Sequence, residues 1–264
     1  MTSPTIPADS VRSPSQRAVA RRVIDEESHA REHVVVYLSG AHAYGFPSPD
    51  SDLDLKAIHV VPTRALLGLA AASSTSDRIG IEDDIEIDYT SNELGHALAG
   101  ILRGNGNFIE RVLGATFVSR SPLRDSLVPL VTRSLSRRAA QHYRGFAHNQ
   151  RLEMAKTPTV KKLLYVLRTA LTGIHLLEAG ELVTDVHETA RLHRIEGIET
   201  LIERKRIGER IGLPPSEADA WQARIDDLFT RLDTARDRSP LPDAPPNTAE
   251  LDAWLIETRR SRLG

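Results

Sequence analysis

Apolar positions along the chain change their period about a third of the way through. Residues 33–38 (HVVVYL) form an unbroken β-branched and aromatic run, the signature of a buried strand. Residues 52–61 (DLDLKAIHVV) alternate at their start and read as a second strand, stopped by Pro62. Residues 81–89 (IEDDIEIDY) begin irregularly and then alternate, which predicts a third. Ahead of the first strand, residues 17–32 fit a helix with Ala18, Val19, Val23 and Ile24 on its apolar side, and residues 63–71, between the second and third, fit a short one. Beyond Thr90 the spacing is helical: residues 91–102, 107–113, 123–152 with a break at Pro129, 159–179 and 215–235. Ser91-Asn92-Glu93 caps the first of these, and Asn105-Gly106-Asn107 shapes a turn. Residues 239–247 carry four prolines and predict an extended linker before a last amphipathic helix at 248–260 that docks back. Strands first and helices after predict an α+β fold with a mainly helical C-terminal half.

Composition narrows the function classes. In 264 residues there are 34 Lys+Arg against 36 Asp+Glu and no cysteine, so disulfides, thiolate metal sites and thiol nucleophiles are excluded. No apolar run approaches the roughly 18 residues of a membrane span. The Ser-, Pro- and Arg-rich start has no secretory core, so a cytoplasmic protein without membrane contact is expected. The charge is balanced only in total. Residues 77–95 hold seven carboxylates and one Arg, whereas residues 131–170 hold nine Lys/Arg and one carboxylate. That contrast suits either two solvated faces or a metal-binding edge opposite a phosphate-receiving surface.

The richest segment is GAHAYGFPSPDSDLDL, residues 40–55, which leaves one strand and runs into the next. Asp52 and Asp54 stand at i and i+2 on the second strand, so their carboxylates project from one face. Two such groups repel without a cation between them, and an oxygen pair of this kind suits Mg²⁺, which also takes substrate phosphates. Gly40 lets backbone amides approach a phosphate. Glu86 and Asp88 form a second i, i+2 pair, from which a third carboxylate comes if that strand lies beside the second. No G-x-x-x-x-G-K-[ST], G-x-G-x-x-G or G-x-S-x-G motif is present, and His187 and His193 lack the i, i+4 spacing of a zinc helix.

The segment SGAHAYGFPSPDSDLDL resembles the signature of the DNA polymerase beta-type nucleotidyltransferases, Gly-Ser or a similar pair after a strand followed by D-x-D. More narrowly, it is similar to a nucleotidyltransferase family with RNA-repair-associated members. EIDYTSNELGHALAGILRGNGNFIERVL, QHYRGFA and KKLLYVLRTALTGIHLLEAGEL extend the likeness over roughly residues 37–185. The resemblance implies a polymerase beta-like sheet and a Mg²⁺-dependent transfer of a nucleotide from an NTP to an acceptor hydroxyl. It makes Asp52 and Asp54 metal ligands and Asp88 the third carboxylate, which deprotonates or orients that hydroxyl, with Glu86 as the alternative. Gly40 faces the triphosphate. The family usually has Ser at the next position and this chain has Ala41, which leaves Ser39 or the backbone alone to hold a phosphate.

Further candidates lie in the loop and the basic run. Tyr44 is placed to meet the sugar. Lys161, Lys162 and Arg168 follow Pro158 on one helix, Lys161 and Arg168 sharing a face, as partners for triphosphate or nucleic acid. His142 and Arg144 open a basic helix as acceptor contacts, and the nine basic residues favour RNA as acceptor. The expected layout is a tail (1–16), a catalytic domain (17–120), a helical domain (121–238) and a linker with terminal helix (239–264). A protein or small-molecule acceptor keeps the same carboxylates. A non-catalytic nucleotide- or RNA-binding module does not need them.

Overall fold

The computed structural model describes residues 13–69, 72–208 and 210–263, and most of the expected N-terminal tail lies outside them. Two compact units emerge: Met1–Gly40, Asp52–Ser134 and Pro245–Gly264 in one, Ala41–Ser51 and Leu135–Ala244 in the other. The first contains the sheet. Its strands are β1 (Glu32–Leu38), β2 (Leu53–Val60), β3 (Thr75–Glu82), β4 (Ile85–Glu93) and β5 (Phe117–Arg120), in spatial order β3-β4-β2-β1-β5. β2 runs parallel to β4, and the other neighbours are antiparallel.

Helix α1 (Pro14–Ala30) covers one face of this sheet. Its Val19, Ala20, Val23 and Ile24 pack on Leu53, Leu55 and Ala57 of β2, Ile87 and Tyr89 of β4, and Val36 and Leu38 of β1. Because strand side chains alternate, that burial sends Asp54, Lys56, Glu86 and Asp88 to the opposite face. α1 begins three residues before the predicted Arg17. The Ser13 hydroxyl accepts from the Gln16 amide, and Pro14 suits the first helical turn, where no N–H is needed.

Two strands differ from the sequence expectation. The predicted strand at 81–89 divides at Asp83 and Asp84, whose φ angles of 49° and 61° make a tight hairpin turn between β3 and β4. β3 carries no apolar alternation because it is an edge strand with Ile79 and Ile81 exposed. β5 is only four residues long and completes the other edge.

The remaining elements of this unit are helical. After the short α2 (Gly40–Ala43) and α3 (Thr63–Leu67) come α4 (Leu94–Leu102), α5 (Gly106–Leu113) and α6 (Pro122–Arg133). The cap of α4 is Glu93, whose side chain accepts from the His96 amide, while Ser91 and Asn92 belong to β4. Asn105 caps α5, as the turn signal implied. Pro129 lies within α6, so the expected break falls later, where the Ser134 hydroxyl and the Asn247 amide both donate to the Leu130 carbonyl. The terminal helix of this unit, Thr248–Arg260, docks back as expected, with Arg259 donating to Glu93 at 3.0 Å.

The helical unit centres on α8 (Val160–Ala179), buried along most of its length among α7 (Ala139–Lys156), α9 (Val186–His193), α10 (Ile198–Ile207) and α11 (Pro215–Arg238). The helix at Thr248–Arg260 is then α12. Helices α9 and α10 are absent from the sequence expectation: they are short, and left-handed Arg194 and Gly197 stand between them. Among the described residues no helix is long and apolar enough to cross a membrane.

His33 supplies a pH test of the sheet unit. Its ring meets the Tyr89 hydroxyl at 2.7 Å and the Ser28 hydroxyl at 3.1 Å. Burial, then nearby Arg31 and His59, push its imidazole down to about 4. The unfolded chain therefore binds the extra proton between pH 6.5 and 4, and stability is full above 6.5 and lost as pH falls toward 4. The shift corresponds to about 3 kcal/mol. Urea midpoints measured from pH 7 to pH 4 should fall more steeply in the wild type than in His33→Gln; parallel curves contradict this role.

Candidate active site

The site begins as a register. Parallel pairing sets Asp54 opposite Asp88 and Lys56 opposite Thr90. The third acidic strand thus lies beside the second, and both acidic pairs use the face away from α1. Lys56 extends to Asp88, its ammonium 2.7 Å from Oδ1 and 3.4 Å from both the Asp88 carbonyl and the Thr90 hydroxyl. Glu86 is exposed and lies nearer the hairpin turn. Asp52 is half-buried at the entrance of β2.

Gly40 completes this corner. The Ser39 amide donates to the Asp54 carbonyl at 2.8 Å, which ties the end of β1 to β2. Gly40 follows with φ 64°, a conformation that suits glycine, and a Cβ there would run into the Asp54 carboxylate. The carboxylate occupies the space that a side chain would fill. Ala41 is buried and offers no hydroxyl to a phosphate.

These donors fit a hard divalent cation: they are carboxylate oxygens on rigid strands beside a backbone turn. Among the described residues no three His, Cys, Asp or Glu side chains form a ready-made cluster, and Asp88 is engaged with Lys56. Mg²⁺ needs only one or two protein carboxylates when substrate phosphates supply the other ligands.

The rest of the loop is built into the helical unit. Tyr44 is almost fully buried, and the Arg168 guanidinium lies 3.4 Å from its ring centroid. Tyr165 meets Tyr44 and Phe46 edge-on at 5.7 and 5.4 Å. The Val186 amide donates to the Tyr44 carbonyl, the Thr184 hydroxyl donates to the Ala43 carbonyl, and Gly45 leaves room for the Asp185 carboxylate. Arg168, expected at a phosphate, is 2% exposed and serves as a wall of this loop.

Much of the basic run is paired with carboxylates at the surface. Arg133 pairs with Glu250, Arg137 with Asp243, Arg144 with Asp233, Arg151 with Asp226 and Lys156 with Glu153. Arg144 also covers the Phe229 ring at 4.2 Å, and His142 stacks on Phe146. Lys162 donates to the Glu153 carbonyl at 2.9 Å, and Lys161 is half-buried beside it in the chain. The contrast of charge along the sequence is therefore partly a set of ion pairs, three of them between helices.

The sequence reading missed Lys56 and Lys205. Lys56 was visible only as the polar step after Asp54 on an alternating strand. Lys205 sits within ERKRIGER, a pattern that reads as a solvated helix, yet it is completely buried.

A model of the RNA repair pathway DNA polymerase beta family matches residues 16–257. The chain belongs to this family. That match gives the α+β sheet its polymerase beta-like character and includes every candidate residue named above. The chain is 27% identical over 227 residues to the uncharacterized protein MJ0002 of Methanocaldococcus jannaschii, covering 83% of this chain and 91% of that one. It is 26% identical over 236 residues to the uncharacterized protein YcgL of Bacillus subtilis, covering 83% and 85%. A nucleotidyltransferase-like protein from Exiguobacterium sibiricum aligns over 93% of this chain and 80% of its own, with 12% identity and a TM-score of 0.35.

Proposed function

We propose that the protein is a Mg²⁺-dependent nucleotidyltransferase that moves a nucleoside monophosphate from an NTP to an acceptor hydroxyl. The observation that carries this reading is the parallel alignment of Asp54 with Asp88, beside a glycine whose missing side chain makes room for the Asp54 carboxylate. Membership of the polymerase beta-type family supports the same chemistry.

Asp52 and Asp54 would hold the cation, and Asp88 would be its third carboxylate. Bound Mg²⁺ would supply charge neutralisation along the triphosphate. The backbone at Ser39, Gly40 and Ala41 would receive phosphate oxygens. Asp88 orients the acceptor hydroxyl and takes its proton, while Lys56 holds that carboxylate in place. The acceptor oxygen then bonds to the α-phosphorus as the α–β bridging bond breaks, and pyrophosphate leaves. Little covalent chemistry is asked of the protein, whose contribution is positioning and charge.

RNA is the favoured acceptor, supported by the family to which the chain belongs. A protein or small-molecule acceptor is the second reading. It is favoured by the pairing of the basic run with carboxylates and by exposed Ile79, which the register sets beside Asp88. The protein is to be incubated with Mg²⁺ and each α-labelled NTP, with total RNA and a protein extract offered separately. Label on RNA that disappears in Asp52→Asn/Asp54→Asn supports the first reading. Label on protein supports the second, and label that survives the double substitution contradicts the carboxylate assignment.

A matching prediction concerns salt. If RNA is held through its phosphates, log affinity should fall linearly with log salt, with a slope of about −0.7 for each phosphate contact on a single strand. A flat response rules out phosphate-driven binding.

A further inference from the structure

Lys56 stands two residues beyond Asp54 on β2, on the face away from α1, and the register sets it opposite Thr90. Its side chain leans back across the strands. The ammonium lies 2.7 Å from Asp88 Oδ1 and 3.4 Å from both the Asp88 carbonyl and the Thr90 hydroxyl, so β4 offers three acceptors to its three N–H groups. The Thr90 hydroxyl in turn donates to the same Oδ1 at 3.5 Å. All of these groups belong to the sheet unit. The lysine side chain is 19% exposed and that of Asp88 44%, so the cation is drawn onto the sheet while the carboxylate keeps an open side.

A lysine here changes what the acidic face can hold. Asp54 and Asp88 are direct neighbours across the β2–β4 ladder, where strands lie about 4.8 Å apart. Paired carboxylates at such a spacing suit a site with two divalent ions, which lie about 3.5–4 Å from each other. A divalent ion on Asp88 Oδ1, at a metal–oxygen distance of about 2.1 Å, would come within about 5 Å of the Lys56 nitrogen. Positive centres that close repel. From this geometry we propose that Lys56 is a built-in counter-cation: its ammonium gives Asp88 the positive charge that a second divalent ion would bring, so the protein takes one such ion rather than two. This rests on the reading of Asp52, Asp54 and Asp88 as the ligand carboxylates. Oδ1 of Asp88 is committed to Lys56, and its other oxygen serves the cation or the acceptor hydroxyl. As a structural pair alone, Lys56–Asp88 is half-exposed and adds little stability, so replacing the lysine should keep the fold while changing the ion count.

The test counts ions with Mn²⁺ alone as probe, titrated into the full-length protein and followed by the loss of the free-ion electron paramagnetic resonance signal. Thermal melts are recorded for every variant, and titrations are made well below each midpoint. The wild type and Lys56→Arg, which keeps the charge, should each bind one ion. Lys56→Met should bind two, and Lys56→Met/Asp88→Asn should return to one. Asp52→Asn/Asp54→Asn should lose the first ion. A lysine with only a structural role shifts the melt and leaves the count at one. That result, with Asp52→Asn/Asp54→Asn impaired, overturns the proposal alone, as do two ions in the wild type or in Lys56→Arg, or a second ion that survives Asp88→Asn. Unchanged binding in Asp52→Asn/Asp54→Asn, or no Mn²⁺ binding by the wild type, overturns the ligand reading and the proposal with it. Should Lys56→Met fail to fold, Lys56→Gln takes its place under the same count.

Discussion

Asp54→Asn should lower nucleotidyl transfer by about 10³-fold, the scale of losing a group that organises transition-state charge. The strand supplies the reason for so large an effect with so small a change. Asp54 is opposite Asp88 in the β2–β4 register, and its carboxylate fills the space over Gly40. An amide preserves size and removes the charge, so the fold should be kept while the cation loses a ligand. Circular dichroism and a melt close to the wild type, together with transfer reduced at saturating NTP, are the expected results. Transfer within a few-fold of the wild type would remove Asp54 from the machinery.

The second large effect comes from a residue with no side chain. Gly40→Ala faces two penalties together. At φ 64° an L-residue is strained by about 1–2 kcal/mol, and the new Cβ meets the Asp54 carboxylate. The carboxylate must swing aside, and displacement of a catalytic group by about 1 Å is enough to cost roughly 10²-fold. Gly80→Ala is the matched control, because a Cβ there meets nothing within 4 Å and its backbone is ordinary strand. Steady-state transfer by the two variants distinguishes a crowded active corner from a general sensitivity to glycine loss. Equal activities would contradict the crowding.

Much of the sheet was legible because its central strands announce themselves locally. The run at 33–38 corresponds to β1, and the alternation after Asp52 corresponds to β2, with Leu53, Leu55 and Ala57 turned to α1. What local pattern could not carry was long-range. β3 lacks a buried face, so its residues gave no alternation to read, and Asp83-Asp84 made a turn usually signalled by Asn-Gly. The same limit explains the site. Asp52, Asp54 and Asp88 were proposed from spacing and resemblance, yet the pairing of Lys56 with Asp88 depends on two strands 32 residues apart. Arg168 was placed at a phosphate because it shares a helix face with Lys161, and its guanidinium packs on Tyr44 of the loop. Lys205 gave no signal at all, since a buried lysine and a solvated one look alike among neighbouring arginines.

The physical lesson is that charge counted along a sequence overstates charge available at a surface. Residues 131–170 are strongly basic, but five of their cations form ion pairs with carboxylates, at 2.7 Å for Arg151–Asp226. Exposed pairs of this sort add little stability, yet they divert cations that would otherwise meet phosphate.

The most direct measurement compares two positions of the label. With Mg²⁺, acceptor and NTP labelled at either the α- or the γ-phosphate, the acceptor should gain α-label only, with one pyrophosphate released per transfer. Appearance of γ-label on the acceptor, or hydrolysis of NTP with neither label transferred, would contradict nucleotidyl transfer at this site.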